Sequence, residues 1–226
     1  MRAARRVVST LDVKAMRAIL LVLLLAGAAA AQEAGEYELG GDIGYGWYRN
    51  GTIYSPGGNA EAGVRNRFAA GAVLCENVYE HLSGEIRWEY QDGHPFLSSG
   101  GAEKDIQGQS QTLTYDLLFH FKDRSHKIRP FVAAGGGAKD YVIVGPEPNP
   151  QPFPSIATLN AVNEWRFVVS LGGGVKMRLS RHVLVRADFR DYMTPFPKTQ
   201  IMPAPTGTAR GIFQQFTPMF GVSYLF

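Results

Sequence analysis

The chain has a single cysteine, Cys75. One thiol excludes an internal disulfide, and no Cys/His cluster has zinc-ligand spacing. The expected role of Cys75 is that of a small strand residue. A phosphate-binding loop is missing too, since the Gly-Gly-Gly runs at 135–137 and 172–174 fit strand glycine better than a phosphate cradle. No cofactor is expected. Charge of one sign is also lacking once the N-terminus is set aside. Residues 1–31 hold five of the 23 basic residues and one of the 20 acids, which leaves 18 and 19, or net −1. That balance gives no electrostatic case for a nucleic-acid partner.

The composition is not that of a helical membrane protein. The apolar run Ala18–Ala31 falls short of the roughly 20 residues that a membrane-crossing helix needs. It has the features of a signal peptide instead. Arg2, Arg5, Arg6, Lys14 and Arg17 form a basic lead, and Ala29, Ala30 and Ala31 fit a cleavage site before Gln32. The stretch from Met16 makes a compact signal alone, so translation could begin there. Ala28 stands where a lipoprotein would need cysteine. The expected organisation is a signal peptide over 1–31, a short lead over 32–36 and one domain over 37–226.

What is present is alternation. In a β-strand successive side chains point to opposite faces, so a period of two marks a strand. Tyr37 to Tyr48 alternates Tyr37, Leu39, Ile43, Tyr45 and Trp47 with Glu38, Asp42 and three glycines. Further strands are read over 64–77, 82–91, 109–122, 128–142, 165–179, 183–192 and 212–226. In 128–142 the small residues leave the facing ambiguous, and Phe131, Ala133 and Tyr141 are assigned outward. Between strands, residues 50–62, 92–108, 143–163 and 193–211 are rich in Gly, Pro and Asn and read as loops. The third carries Pro146, Pro148, Pro150, Pro152 and Pro154, which suit an extended, solvated surface loop. Residues 76–81, 123–127 and 180–182 read as tight turns.

Eight strands with alternating long and short connections predict an all-β fold, an eight-stranded antiparallel up-and-down transmembrane β-barrel. Each strand has about the 9–11 residues needed to cross a bilayer when tilted. Closure leaves no unpaired edge, the condition for a sheet to survive in lipid. The even strand count puts both termini on one side, the periplasmic side if the long loops are external.

With that pattern the chain resembles the small OmpA-like outer-membrane barrels of Gram-negative-type bacteria over about 37–226. The resemblance rests on the hairpin spacing, on RPFVAAGGG after a turn, on VLVRADFRDY and on the terminal FGVSYLF. Pro218 departs from the family's alternating terminal pattern. The resemblance implies localisation in the cell outer membrane, contact with outer-membrane lipid and delivery by the outer-membrane assembly machinery. The assembly signal would be Phe220, Val222, Tyr224 and Phe226. A periplasmic cell-wall-binding domain is not expected, and the sequence does not name a partner for the external loops.

The inward parity carries charge of both signs. Glu85, Arg87, Glu89, Asp116, Arg166, Lys176, Arg178, Arg186, Asp188 and Arg190 are the expected lumen network, with Glu38, Asp42 and His120 on the same parity. Eight strands enclose an interior that side chains can just fill. The charges can plug the lumen as salt bridges, or they can line an ion path or a small-ligand pocket. Barrel size favours the plug. Arg87 and Asp116 are expected to meet, and Gly172 and Gly174 to face Arg190 and Asp188. Lipid-modifying catalysis would need a clustered histidine, serine and acid. Among the histidines only His120 lies in a strand, so no catalytic residues are expected.

Overall fold

A computed structural model describes residues 37–209 and 211–226; the expected signal peptide and lead lie outside them. Eight long strands form a closed barrel. They are β1 (Tyr37–Arg49), β2 (Arg67–Glu76), β3 (Leu82–Asp92), β4 (Gly108–His120), β5 (Ile128–Ile143), β6 (Glu164–Arg178), β7 (Val183–Pro195) and β8 (Ile212–Leu225). Each pairs antiparallel with the next, and β8 pairs with β1. Reciprocal backbone bonds between Tyr37 and Phe226, at 3.1 and 3.0 Å, fasten the seam. The all-β antiparallel barrel read from the sequence is the observed fold.

The alternation sets the wall's two faces. In β6, Trp165, Phe167, Val169 and Leu171 are exposed, whereas Val168 and Ser170 are fully buried. In β4, Leu113, Tyr115, Leu117 and Phe119 point out, and Thr112, Thr114, Asp116 and His120 point in. An apolar face left open to the surroundings around a polar interior is the arrangement of a barrel whose solvent is lipid.

Strand β5 corrects the assigned facing. Phe131, Ala133 and Tyr141 are buried, and Ile128 and Val132 are the exposed side chains. Arg129 and Lys139 share the parity of Phe131 and are also buried. A charged side chain on the lipid face costs about 2–4 kcal/mol near mid-membrane, so the two cations fix which face turns inward. Close approach explains the glycines. A Cβ on Gly135 would stand 2.1 Å from the Tyr115 carbonyl oxygen, and one on Gly172 would stand 2.2 Å from that of Phe189.

The long connections also differ from their reading as plain loops. Gly51–Ser55 and Gly58–Val64 form a hairpin, so Val64 belongs to it and not to β2. With Pro95–Ser99, Ala102–Asp105 and Thr208–Ala209 they build a five-stranded sheet. Ala157–Leu159 pairs with Ile201–Pro203 in a two-stranded sheet. These pieces share a core of Ile53, Ala62, Leu97, Ile156, Leu159 and Ile201, which meets Tyr48, Tyr141 and Phe213 at the barrel mouth. The proline-rich connection is thus not simply solvated: Ile156, Ala157 and Leu159 anchor it in that core. Local glycine and proline content signals breaks in the wall, but the core of this cap is assembled from four distant segments. Leu97, fully buried there, sets an expectation. Leu97→Ala should cost the cap about 2–5 kcal/mol. Limited proteolysis should then cut residues 92–108 at least tenfold faster than in the native protein, and an unchanged cutting rate would contradict a packed cap.

The three short turns lie at the end where the termini meet. In one of them the Asp123 carboxylate accepts hydrogen bonds from the Ser125 hydroxyl, the Ser125 N–H and His126 Nδ1. These bonds, the Ser125 hydroxyl first, hold the carboxyl below its ordinary range.

Candidate functional site: the barrel lumen

Mid-barrel, inward side chains from β1, β3, β4 and β7 converge in one ion cluster. Arg87 is central. Its guanidinium reaches Asp42 at 2.6 Å, Asp188 at 2.5 Å and Glu85 at 3.0 Å. Arg186 contacts Glu85 at 2.8 Å and Asp188 at 2.7 Å. Arg190 contacts Glu85 at 3.0 Å and Asp116 at 3.4 Å. Three guanidiniums and four carboxylates, all buried, therefore tie together strands from opposite sides of the lumen. Taking ions out of water costs several kcal/mol each, and only close pairing offsets that cost. The register makes room for the long side chains: Gly172 stands opposite Arg190 and Gly174 opposite Asp188.

Other residues of the expected network fall into three groups. Lys176 joins Glu38 at 2.7 Å, nearer the terminal end. Glu89 accepts a hydrogen bond from Gln215 Nε2 at 2.9 Å, and Gln215 in turn accepts one from Lys139. Arg166 and Arg178 are only half-buried and stay outside the cluster: Arg166 pairs with Glu164 by the cap, and Arg178 donates to the Arg124 carbonyl in a short turn. Asp116 meets Arg190, while Arg87 lies across from Thr114 in the strand register. The expected Arg87–Asp116 pair is therefore two residues out of register, with Glu85 opposite Asp116.

Sequence reasoning missed Lys139. Its ammonium donates to the Tyr48 hydroxyl at 3.2 Å and lies about 5 Å from the ring centres of Tyr48 and Tyr141, at 5.1 and 5.2 Å. It lies between the ion cluster and the cap core, to which Tyr48 and Tyr141 belong. Its parity with Arg129 was the available signal.

The fold also brings together a serine and a histidine that are remote in sequence. Ser83 Oγ lies 3.1 Å from His120 Nε2. Polarity decides what this pair can do. The Glu38 carboxylate only accepts, so the Asn77 amide donates to it from Nδ2, at 3.1 Å, and presents Oδ1 to Ser83. The Ser83 hydroxyl spends its one hydrogen on that Oδ1, at 2.9 Å. His120 must then donate its Nε2 hydrogen to Ser83, the reverse of what activates a nucleophilic serine. His120 Nδ1 has no hydrogen-bond partner, so no acid orients the ring. The chain Glu38–Asn77–Ser83–His120 is a buried structural relay. Among the described residues no group of three His, Cys, Asp or Glu side chains could hold a metal ion.

Residues 18–222 match the family described as outer membrane protein beta-barrel domain. No curated protein matches the chain. Among solved structures it is similar to Neisserial surface protein A, with a TM-score of 0.51 and 11% identity over 86% of this chain and 100% of that one. It is similar to OprG from Pseudomonas aeruginosa, with a TM-score of 0.53 and 12% identity over 86% and 97%. The outer membrane protein AlkL, solved in lipid bilayers, gives a TM-score of 0.50 and 13% identity over 86% and 92%. At such identities the likeness concerns the fold. A family match that spans most of the chain, joined to a closed eight-stranded wall with its apolar face outward, makes this protein a member of the outer-membrane β-barrel family.

Proposed function

We propose that the protein is a structural or surface-interaction component of the outer membrane, with a lumen closed by paired charges and the folded cap as its working surface. The observation that carries this reading is the cluster around Arg87, where buried ion pairs span the lumen and leave its charges bound to one another. An ion path would need those charges hydrated and a continuous opening, whereas here the cap's apolar core lies over the mouth. Planar-bilayer recording tests the reading. The purified barrel should show no sustained conductance. Steady channel activity that Arg87→Ala or Arg190→Ala alters would favour a channel and overturn the plug.

The same reading carries no catalysis, because the Ser83–His120 pair, the serine–histidine contact among the described residues of the lumen, is polarised the wrong way. Export would follow from the N-terminal signal, with both termini in the periplasm and the cap outside. The partners in this reading are outer-membrane lipid and, during biogenesis, the assembly machinery. Phe220, Val222 and Tyr224 form an exposed apolar stripe on β8, and the Phe226 ring stacks on Tyr37 at 6.1 Å. Deleting Phe226 should reduce the assembled, heat-modifiable barrel in outer-membrane fractions several-fold. Unchanged levels would argue against an assembly role for the terminal aromatic.

A further inference from the structure

The outward wall is not uniformly convex. Across β5 to β8 and β1 lies an almost wholly apolar groove of about 760 Å³. Ile43, Ile128, Met177, Val185 and Phe220 form its sides. At its floor Gly41 leaves β1 without side-chain bulk, whereas Gly221, also on the lining, turns to the lumen, where a Cβ would stand 2.7 Å from that of Asp42. Gly41 faces outward and its missing side chain is not forced by crowding: a Cβ there would meet only the Gly71 carbonyl oxygen, at 3.7 Å.

One end of the groove runs to a cationic rim. Ile128 and Met177 are register partners at the terminal end of β5 and β6. Lys127 directly precedes Ile128, and the Arg178 N–H donates to its carbonyl at 2.8 Å. Arg181 follows in the next turn, beside His182, whose ring stacks on Tyr224 at 5.5 Å. Lys127, Arg181 and His182 are all exposed. The neighbouring acid, Asp123, is engaged by Ser125 and His126. A groove for a hydrocarbon chain thus ends at exposed positive charge, and that combination matches a lipid with a negative headgroup.

We propose that groove and rim together seat one anionic phospholipid from the leaflet at the terminal end of the barrel. An acyl chain lies over Gly41, and the headgroup phosphate meets Lys127 and Arg181. The seat rests on the barrel standing in a bilayer, and it goes beyond lipid as a mere solvent by fixing one molecule at one place.

Native mass spectrometry of the barrel purified in detergent tests this, with phosphatidylglycerol or phosphatidylcholine added at equal excess. The native protein should keep a single phosphatidylglycerol with at least a tenfold preference. Gly41→Leu should abolish that adduct by filling the groove. Lys127→Gln with Arg181→Gln should abolish the preference. Equal retention of the two lipids by the native protein would overturn the proposal, as would an adduct indifferent to Gly41→Leu. Heat-modifiable migration reports the fold of every variant, so loss of lipid from an intact barrel is distinct from failure of the barrel reading. If Gly41→Leu fails to fold, Ala187→Leu fills the same groove from β7 and should give the same loss.

Discussion

Arg87→Met is expected to destabilise the folded barrel by about 3–5 kcal/mol, the cost of removing one partner from a buried ion cluster. Arg87 makes the only described ion-pair contact of Asp42 and shares Glu85 and Asp188 with Arg186. Without its guanidinium, three carboxylates face one another inside the wall with Arg186 and Arg190 as their remaining counter-ions. Methionine preserves much of the side-chain volume, so the loss is electrostatic rather than a cavity effect. Urea unfolding in phospholipid vesicles measures it, with exposed Arg181→Met as the comparison, expected within about 0.5 kcal/mol of native. Adding Asp188→Asn to Arg87→Met should recover part of the loss, because neighbours in one charge network do not act additively. Equal midpoints for Arg87→Met and Arg181→Met would show that the cluster contributes nothing.

Leu171→Arg is expected to cost about 2–4 kcal/mol, the cost of a cation near the bilayer midplane. Leu171 is the middle residue of β6 and is 45% exposed, so in lipid it meets hydrocarbon. It makes none of the lumen's contacts, and in water a substitution at so exposed a site would be nearly neutral. The environment therefore sets the sign. The same urea titration should show the loss in vesicles, and a neutral result would mean that this face does not stand in lipid.

The wall was legible in the sequence because lipid and lumen impose opposite demands on alternate residues. Trp165, Phe167, Val169 and Leu171 against Arg166 and Ser170 leave one assignment for β6. In β5 the small residues from Ala133 to Ala138 blur that contrast, and the outward assignment of Phe131, Ala133 and Tyr141 reversed the face that Arg129 and Lys139 define. The lumen's composition was legible for the same reason as the wall. Its pairings were not, because strand tilt and stagger decide which ring of residues shares a level, so Arg190 rather than Arg87 meets Asp116. Contacts between segments far apart in the chain left least trace. Ser83 and His120 meet only through the pairing of β3 with β4. The cap core joins Ile53, Leu97, Leu159 and Ile201, each in a different long connection.

The lone cysteine provides the most direct test of a closed lumen. Cys75 points inward from β2, is fully buried, and has its Sγ 3.5 Å from Lys176 Nζ. A small, charged, water-soluble thiosulfonate reagent can reach it only if water passes along the lumen from one mouth. In the folded barrel Cys75 should stay unlabelled over hours and react within minutes once urea unfolds the chain. Rapid labelling of the folded protein would show the terminal mouth open to water and would contradict a lumen closed along its length.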